Sequence, residues 1–323
     1  MKAKKIMIKT LFMGTPDFAV PCLKMLNDRD DIQLVGVISQ PDRQKGRGYK
    51  MLPPPVKEYA QSVGLDVYQP ENIKDDKFKI LLEELNPELI IVIAYGRILP
   101  DFVLNYPKHG CINVHASLLP KYRGAAPIQW SVINGEKKTG VTTMLMDKGL
   151  DTGDMLVVKK IDILSDDTSG SMFEKLSELG TDALAETIDM IKDGTIKRTP
   201  QNHSEMTYAP MISKEMSYID FSMSAEKISC LVRGLNPSPG AKAYLDGKIV
   251  KIISVAICDI NSLKPGEILI KNDEFVVGCG KCSSIKLITI QPEGKKPMEA
   301  SDFIKGYKFN EEAYLCSTLI QGI

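Results

Sequence analysis

The chain has no surplus charge of either sign: 41 Lys and Arg balance 41 Asp and Glu in 323 residues. A global positive field that would gather nucleic acid unselectively is thereby excluded, although a local basic patch is sufficient for phosphate contacts. No apolar run approaches the ~20 residues that a membrane span requires. The opening MKAKKIMIKT is basic but lacks the long apolar core and small-residue cleavage site of a leader peptide. A cytoplasmic protein is expected. The GxGxxG fingerprint of dinucleotide binding is also missing, and Gly14 in MGTPDFA stands alone after its strand. Seven cysteines, odd in number and scattered, do not make a disulfide scaffold. Cys279-Gly-Lys-Cys282 has the spacing of half a zinc site without the other half, so no metal is expected. Repeats and low-complexity tracts are absent.

What is present is the composition of a globular protein, 43% apolar and 25% charged, long enough for two domains. Ile6 to Met13, Ile32 to Ser39 and the continuous apolar run Leu89 to Ala94 read as strands, the last as a central parallel one. Between them Phe18, Cys22, Met25 and Leu26 recur at helical spacing, with Thr15 as the expected cap and Pro16 in the first turn. Val56 to Val63, Lys77 to Leu85 and Leu99 to Leu104 are helical in pattern, and Met172 to Ile191 forms a long amphipathic helix. Lys197 to Ile212 has poor periodicity and reads as a linker. From residue 213 onward, short strand-like runs separated by Gly, Asn and Asp follow one short helix, Ala225 to Arg233, which suggests a small barrel. The expected division is therefore 1–196, a linker 197–212, and 213–323.

The chain is organised around Cys111 to Asp154. Asn113 and His115 lie two apart on a short apolar strand, so they face the same way where the strand gives out into Ser117-Leu118-Leu119-Pro120. In open α/β sheets ligands collect beyond such carboxyl ends. MDKGLDTGD then supplies Asp147, Asp151 and Asp154 in a Gly-rich turn that could fold back over the strand end. An amide, an imidazole and a carboxylate are the groups needed when a neutral amine attacks a carbonyl: one donates to the oxyanion, one handles a proton, one orients.

Asn113-Val-His115, SLLPKYRGAAPIQW and GLDTGD together resemble the signature of the folate-dependent formyltransferase family, in particular its branch acting on methionyl-tRNA. The resemblance runs from GTPDFA near the start to FIKGY near the end. It implies a Rossmann-like α/β domain with a mostly parallel sheet and a smaller C-terminal OB-like β-barrel that binds tRNA. It also implies formyl transfer from 10-formyl-tetrahydrofolate to the α-amino group of methionyl-initiator tRNA, for translation initiation. Asn113, His115 and Asp151 become the catalytic residues. Ser117, Leu118, Leu119 and Pro120, with Tyr95 and Gly96 of the pterin-side loop, become folate-binding.

Gln40 to Lys57 carries Arg43, Lys45, Arg47, Lys50 and Lys57 against Asp42 alone, with Gly46 and Gly48 denying it regular structure. It resembles the family's insertion into the tRNA acceptor stem, where Arg and Lys suit phosphates and base edges. Arg43, Lys45, Arg47 and Lys50 are the expected contacts, and a monomer is expected. Competing readings are an N-formyltransferase acting on a nucleotide-linked amino sugar, a nicotinamide-dependent oxidoreductase, and an RNA-binding protein without activity. The basic loop and second domain speak against the first, the missing glycine fingerprint against the second. The third leaves Asn113, His115 and Asp151 unexplained.

Overall fold

The structure, a computed structural model, describes residues 7–45, 50–310 and 313–318. Two compact units are present, one comprising 1–124, 139–161 and 173–209 and the other 125–138, 162–172 and 210–323. In chain order the elements are β1 (Ile8–Gly14), α1 (Val20–Asn27), β2 (Ile32–Ile38), β3 (Arg43–Lys45), β4 (Lys50–Leu52), α2 (Pro55–Ser62), β5 (Val67–Tyr68) and α3 (Asp76–Leu85). There follow β6 (Leu89–Ile93), α4 (Asp101–Leu104), β7 (Cys111–His115), α5 (Pro127–Ile133), β8 (Lys138–Leu145), β9 (Met155–Asp162) and α6 (Ser169–Lys192).

The first unit is built on a sheet in the order β5-β2-β1-β6-β7-β8-β9. Its left and central pairs are parallel, and the direction reverses between β7 and β8, which run antiparallel. β6 is buried at every position, which is why LIIVI shows no alternation: both faces of a central parallel strand are covered. Leu11, Met13, Ile38, Ile90 and Val92 meet Phe78 and Leu82 of α3 in one core cluster. That helix begins at Asp75, whose carboxylate accepts from Phe78 N at 2.9 Å, and stops at Asn86 in the left-handed region. On α6, Phe173 packs edge-on against Phe18, and the Ser177 hydroxyl donates to Phe18 O.

Thr15 does not cap a helix. Its hydroxyl donates to Tyr95 O and accepts from Gln40 N, and the chain passes through a single 3-10 turn, Asp17–Ala19, before α1. A partner across the sheet satisfies this hydroxyl in place of the local backbone. Nor is the basic segment without regular structure: β3 and β4 pair antiparallel with Arg43 opposite Leu52 and Lys45 opposite Lys50.

Asp31, immediately before β2, is almost fully buried and receives Arg29 at 2.8 Å and Lys192 of α6 at 3.0 Å. The Arg29 guanidinium, and then Lys192, hold its carboxyl well below the usual carboxylate range. A depressed folded pKa means the stabilisation is complete above the unfolded value of about 3.9 and is lost as pH falls through the folded one. Asp31→Asn is therefore expected to lower stability at pH 7 by about 2 kcal/mol, read from denaturant unfolding. The gap to wild type should shrink below about pH 4, since there the unfolded wild-type chain takes up the proton that the folded carboxylate still resists.

The second unit contains α5, α7 (Ala225–Gly234), the strands β10 (Ala241–Leu245), β11 (Lys248–Cys258), β12 (Ile268–Lys271), β13 (Glu274–Cys279), β14 (Ser283–Pro292) and β15 (Met298–Glu299), then α8 (Ala300–Gly306) and β16 (Leu315–Cys316). Its sheet runs β12-β13-β14-β11-β10-β16 with every pair antiparallel. The sheet curls until its edges meet: Glu267 bridges Tyr314, and Leu315 N donates to Gly266 O at 3.0 Å. Ala225, Ile228, Leu231 and Val232 of α7 face this core. Gly234 lies where α7 crosses α5, and a Cβ there would stand 2.4 Å from the Ile133 side chain. Among the described residues no helix is long and apolar enough to cross a membrane.

Candidate active site

β7 presents Asn113 half-buried and His115 buried, with Asn113 in register with Val92 of β6 and Met144 of β8. The strand ends in a turn fixed by β8. Thr142 donates its hydroxyl to Ser117 O at 2.8 Å and accepts from Leu119 N at 3.2 Å. Ser117 is fully buried and spends its own hydroxyl on Lys121 O at 2.6 Å. Leu119 is buried, while Leu118 and Pro120 keep part of their surface. In this stretch the shape of the turn, more than the Ser117 hydroxyl, is what a ligand would meet.

The His115 ring is held at both nitrogens. Nε2 lies 2.9 Å from Tyr122 O, and a carbonyl can only accept, so Nε2 carries the hydrogen. In the neutral ring Nδ1 is then the basic nitrogen, and it faces Asp151 Oδ2 at 3.7 Å. That oxygen also accepts from Gly124 N at 2.8 Å. Of the three turn aspartates, only Asp151 is paired with the imidazole: Asp147 accepts from Gly149 N and Thr152 Oγ1, and Asp154 offers its carbonyl to Leu145 N. The Asn113 carboxamide has no hydrogen-bond partner among the described residues, leaving its N–H groups available on a half-buried face.

One strand over, a cavity of about 430 Å³ opens beyond the ends of β1, β2 and β6. Thr15, Gln40, Arg43, Ala94, Tyr95 and Gly96 are among its lining residues. Ala94 and Gly96 are exposed and both left-handed, at φ 47° and 82°. Gln40 secures the loop between them by donating to Tyr95 O at 3.1 Å and accepting from Arg97 Nε at 3.2 Å. Burial pushes the Tyr95 hydroxyl up from its ordinary value. The volume is within the range of small-molecule sites, and the exposed backbone of this loop suits the amide-like edge of a heteroaromatic ring.

Of the basic loop, Arg43 is exposed and shares this cavity with Tyr95 and Gly96. Lys45 and Lys50 oppose each other in the β3–β4 pair, and Arg47 lies outside the described residues. Lys57 is engaged by Asp42 at 2.8 Å and Gln69 at 2.7 Å. No group of three His, Cys, Asp or Glu among the described residues could hold a metal ion.

Three residues that the sequence reading passed over are part of the site's frame. Gln201 donates to Asp151 O and Gly153 O, Arg123 donates to Gln201, and Thr207 accepts from Tyr122 N. Two of them fall in the stretch read as a linker, whose isolated bridges, Thr199 to Met155 and Tyr208 to Arg123, are too short to leave a periodic pattern.

The description "Formyl transferase" fits residues 6–188, and "Formyl transferase, C-terminal domain" fits residues 211–308. A methionyl-tRNA formyltransferase of Caldanaerobacter subterraneus subsp. tengcongensis is 47% identical over 310 residues, spanning 95% of this chain and 100% of that protein. One of Thermodesulfovibrio yellowstonii is 50% identical over 301 residues, spanning 93% and 96%. Among solved structures, an N-formyltransferase from Helicobacter canadensis in complex with folinic acid and dTDP-3-aminofucose has a TM-score of 0.65 at 21% identity, covering 88% of this chain and 100% of that one. HypX from Aquifex aeolicus in complex with tetrahydrofolic acid has a TM-score of 0.60 at 18% identity, covering 94% and 48%. At these identities the structures speak for the fold.

Proposed function

We infer the reaction from a fixed premise: this chain belongs to the formyl transferase family, and relatives matching it over both domains are methionyl-tRNA formyltransferases. It transfers a formyl group from 10-formyl-tetrahydrofolate to the α-amino group of methionine esterified to initiator tRNA, giving formylmethionyl-tRNA for translation initiation. The observation that supports this reading is Asp151 Oδ2 at 3.7 Å from the basic Nδ1 of His115, on the strand that also carries Asn113 two residues earlier. The amino-sugar and nicotinamide alternatives are not favoured, because relatives near half identity act, by name, on methionyl-tRNA.

The acceptor must be a neutral amine. A free α-amino group with a pKa of roughly 7.7 to 8.0 supplies a useful neutral fraction near pH 7. Asn113 donates to the oxygen on which negative charge develops as the amine attacks the formyl carbon. His115 accepts the proton of the attacking amine at Nδ1, the imidazolium so formed is stabilised by Asp151 while Tyr122 O keeps the other N–H in place, and the same proton passes to the folate nitrogen as its bond to the formyl carbon breaks. The folate, when bound, supplies an activated formyl carbon. Ser117 to Pro120 shape one wall of its pocket, and the Tyr95-Gly96 backbone, at the cavity described above, binds the pterin side. Arg43, Lys45, Arg47 and Lys50 form the tRNA-contacting loop. The working division is a catalytic part to residue 196, a connection 197–212, and a tRNA-binding barrel from 213, in a cytoplasmic monomer.

The direct test is to incubate the protein with 10-formyl-tetrahydrofolate and methionyl-tRNA and look for formylmethionine after deacylation. For the loop, Arg47→Ala should raise KM for charged tRNA about tenfold, in keeping with the loss of one charged contact worth 1 to 3 kcal/mol. Use of a small amine acceptor should be unchanged. Equal loss with both acceptors would assign Arg47 to folding or chemistry.

A further inference from the structure

We propose that Gln201 is a positioning residue for catalysis, the hinge through which a buried cation holds Asp151 opposite His115. Its terminal amide is used at both ends. Oε1 accepts from Arg123 Nε at 3.1 Å and Nη2 at 2.6 Å, while Nε2 donates to Asp151 O at 2.9 Å and Gly153 O at 2.7 Å. The amide cannot turn over without losing all four contacts, because its oxygen cannot donate and its nitrogen cannot accept.

Both neighbours need such a holder. Asp151 sits at φ 53°, a left-handed conformation that a residue with a Cβ adopts only when its surroundings impose it. The turn around it, Asp147 to Leu150, is exposed, so packing does not impose it. Gly153 touches the end of β8 so closely that a Cβ would overlap Leu145 O, which fixes the far side of the turn. Arg123 is about 95% buried and forms no salt bridge among the described residues. Its described side-chain partners are Gln201 and His203, the latter with Nδ1 at 3.3 Å from Nη2. A buried guanidinium that meets neutral acceptors instead of a carboxylate keeps its field unspent. Here it polarises the Gln201 amide, which strengthens the two bonds on the opposite side.

The same strip of chain governs the other partner of His115. Thr207 Oγ1 accepts from Tyr122 N at 2.8 Å, Thr207 O accepts from Arg123 N at 2.9 Å, and Ala209 N donates to Arg123 O at 2.7 Å. Tyr122 O is the group that fixes the imidazole tautomer. Residues 201–209 therefore set both the carboxylate and the carbonyl between which His115 works. This assignment rests on the reading of Asp151 and His115 given above.

Gln201→Glu separates holding from stability. A carboxylate still accepts from Arg123, and gains a charge partner, but it cannot donate to the carbonyls of Asp151 and Gly153. Expected are a kcat lower by about 10- to 100-fold, the size of effect that a misplacement of about 1 Å produces, with KM for both substrates within about twofold. Gln201→Met, which keeps the length and drops every bond, should lose the same kcat and in addition lower Tm. In an Asp151→Asn background Gln201→Glu should cost less than about twofold more, because coupled residues are not additive. Full kcat in Gln201→Glu, a kcat that tracks Tm across the two variants, or independent multiplicative losses in the double variant would each overturn the proposal. An Asp151→Asn enzyme of normal turnover would instead overturn the reading of Asp151 itself, and the two failures are told apart by that single variant.

Discussion

Asn113→Ala is expected to lower kcat by about 10²- to 10³-fold, equivalent to about 3 to 4 kcal/mol of barrier, which is the usual cost of one oxyanion donor. The geometry behind the number is simple. Asn113 occupies a half-buried strand position, its flanking strands are paired in register with it, and its carboxamide has no partner among the described residues to compete for the N–H groups. Binding should survive, since neither the cavity at Ala94 to Gly96 nor the β3–β4 pair depends on this side chain. Equilibrium binding of folate and of methionyl-tRNA, measured beside single-turnover rates, separates the two. A variant with near-normal turnover would remove Asn113 from the chemistry.

Asp151→Asn is the second large effect, with turnover expected to fall by about 10²-fold or more, within the range associated with acid–base groups. The amide can still accept from Gly124 N, as Oδ2 does at 2.8 Å, so the left-handed turn keeps its local anchor. What disappears is the negative charge 3.7 Å from His115 Nδ1, and with it the stabilisation of an imidazolium formed there. Because geometry is retained, the unfolding midpoint should stay near that of the wild type while the rate drops. A parallel fall of both quantities would mean that the carboxylate serves the fold instead.

The parts of this site that were legible in the sequence are those set by short periods. Asn113 and His115 could be placed on one face because a strand alternates every residue, and the continuous run at Leu89 to Ile93 could be placed at the sheet centre because both its faces are covered. The meeting of His115 with Asp151 is of another kind. Thirty-odd residues separate them, and the bonds around Asp151, from Gly124 N to its carboxylate and from the Gln201 amide to the carbonyls of Asp151 and Gly153, each involve a backbone group that leaves no pattern of residue types. Thr15 misled for the same reason. A threonine before Pro-Asp reads as a cap, yet the Tyr95 carbonyl, brought in by the parallel pairing of β1 with β6, took its hydroxyl. The β3–β4 pair was missed because two three-residue strands around a Gly-rich tip carry no alternation long enough to recognise.

The strip from Gln201 to Ala209 also bears on how this enzyme can be taken apart. A truncated form ending at residue 196 would contain Asn113, His115 and Asp151 and still be without the Gln201 amide that bonds Asp151 O and the Thr207 hydroxyl and carbonyl that accept from Tyr122 N and Arg123 N. A cut after Ala209 keeps that strip with its partners but leaves α5 and residues 162–172, which belong to the second unit, on the other side of the cut from α7, so no single cut yields both units whole.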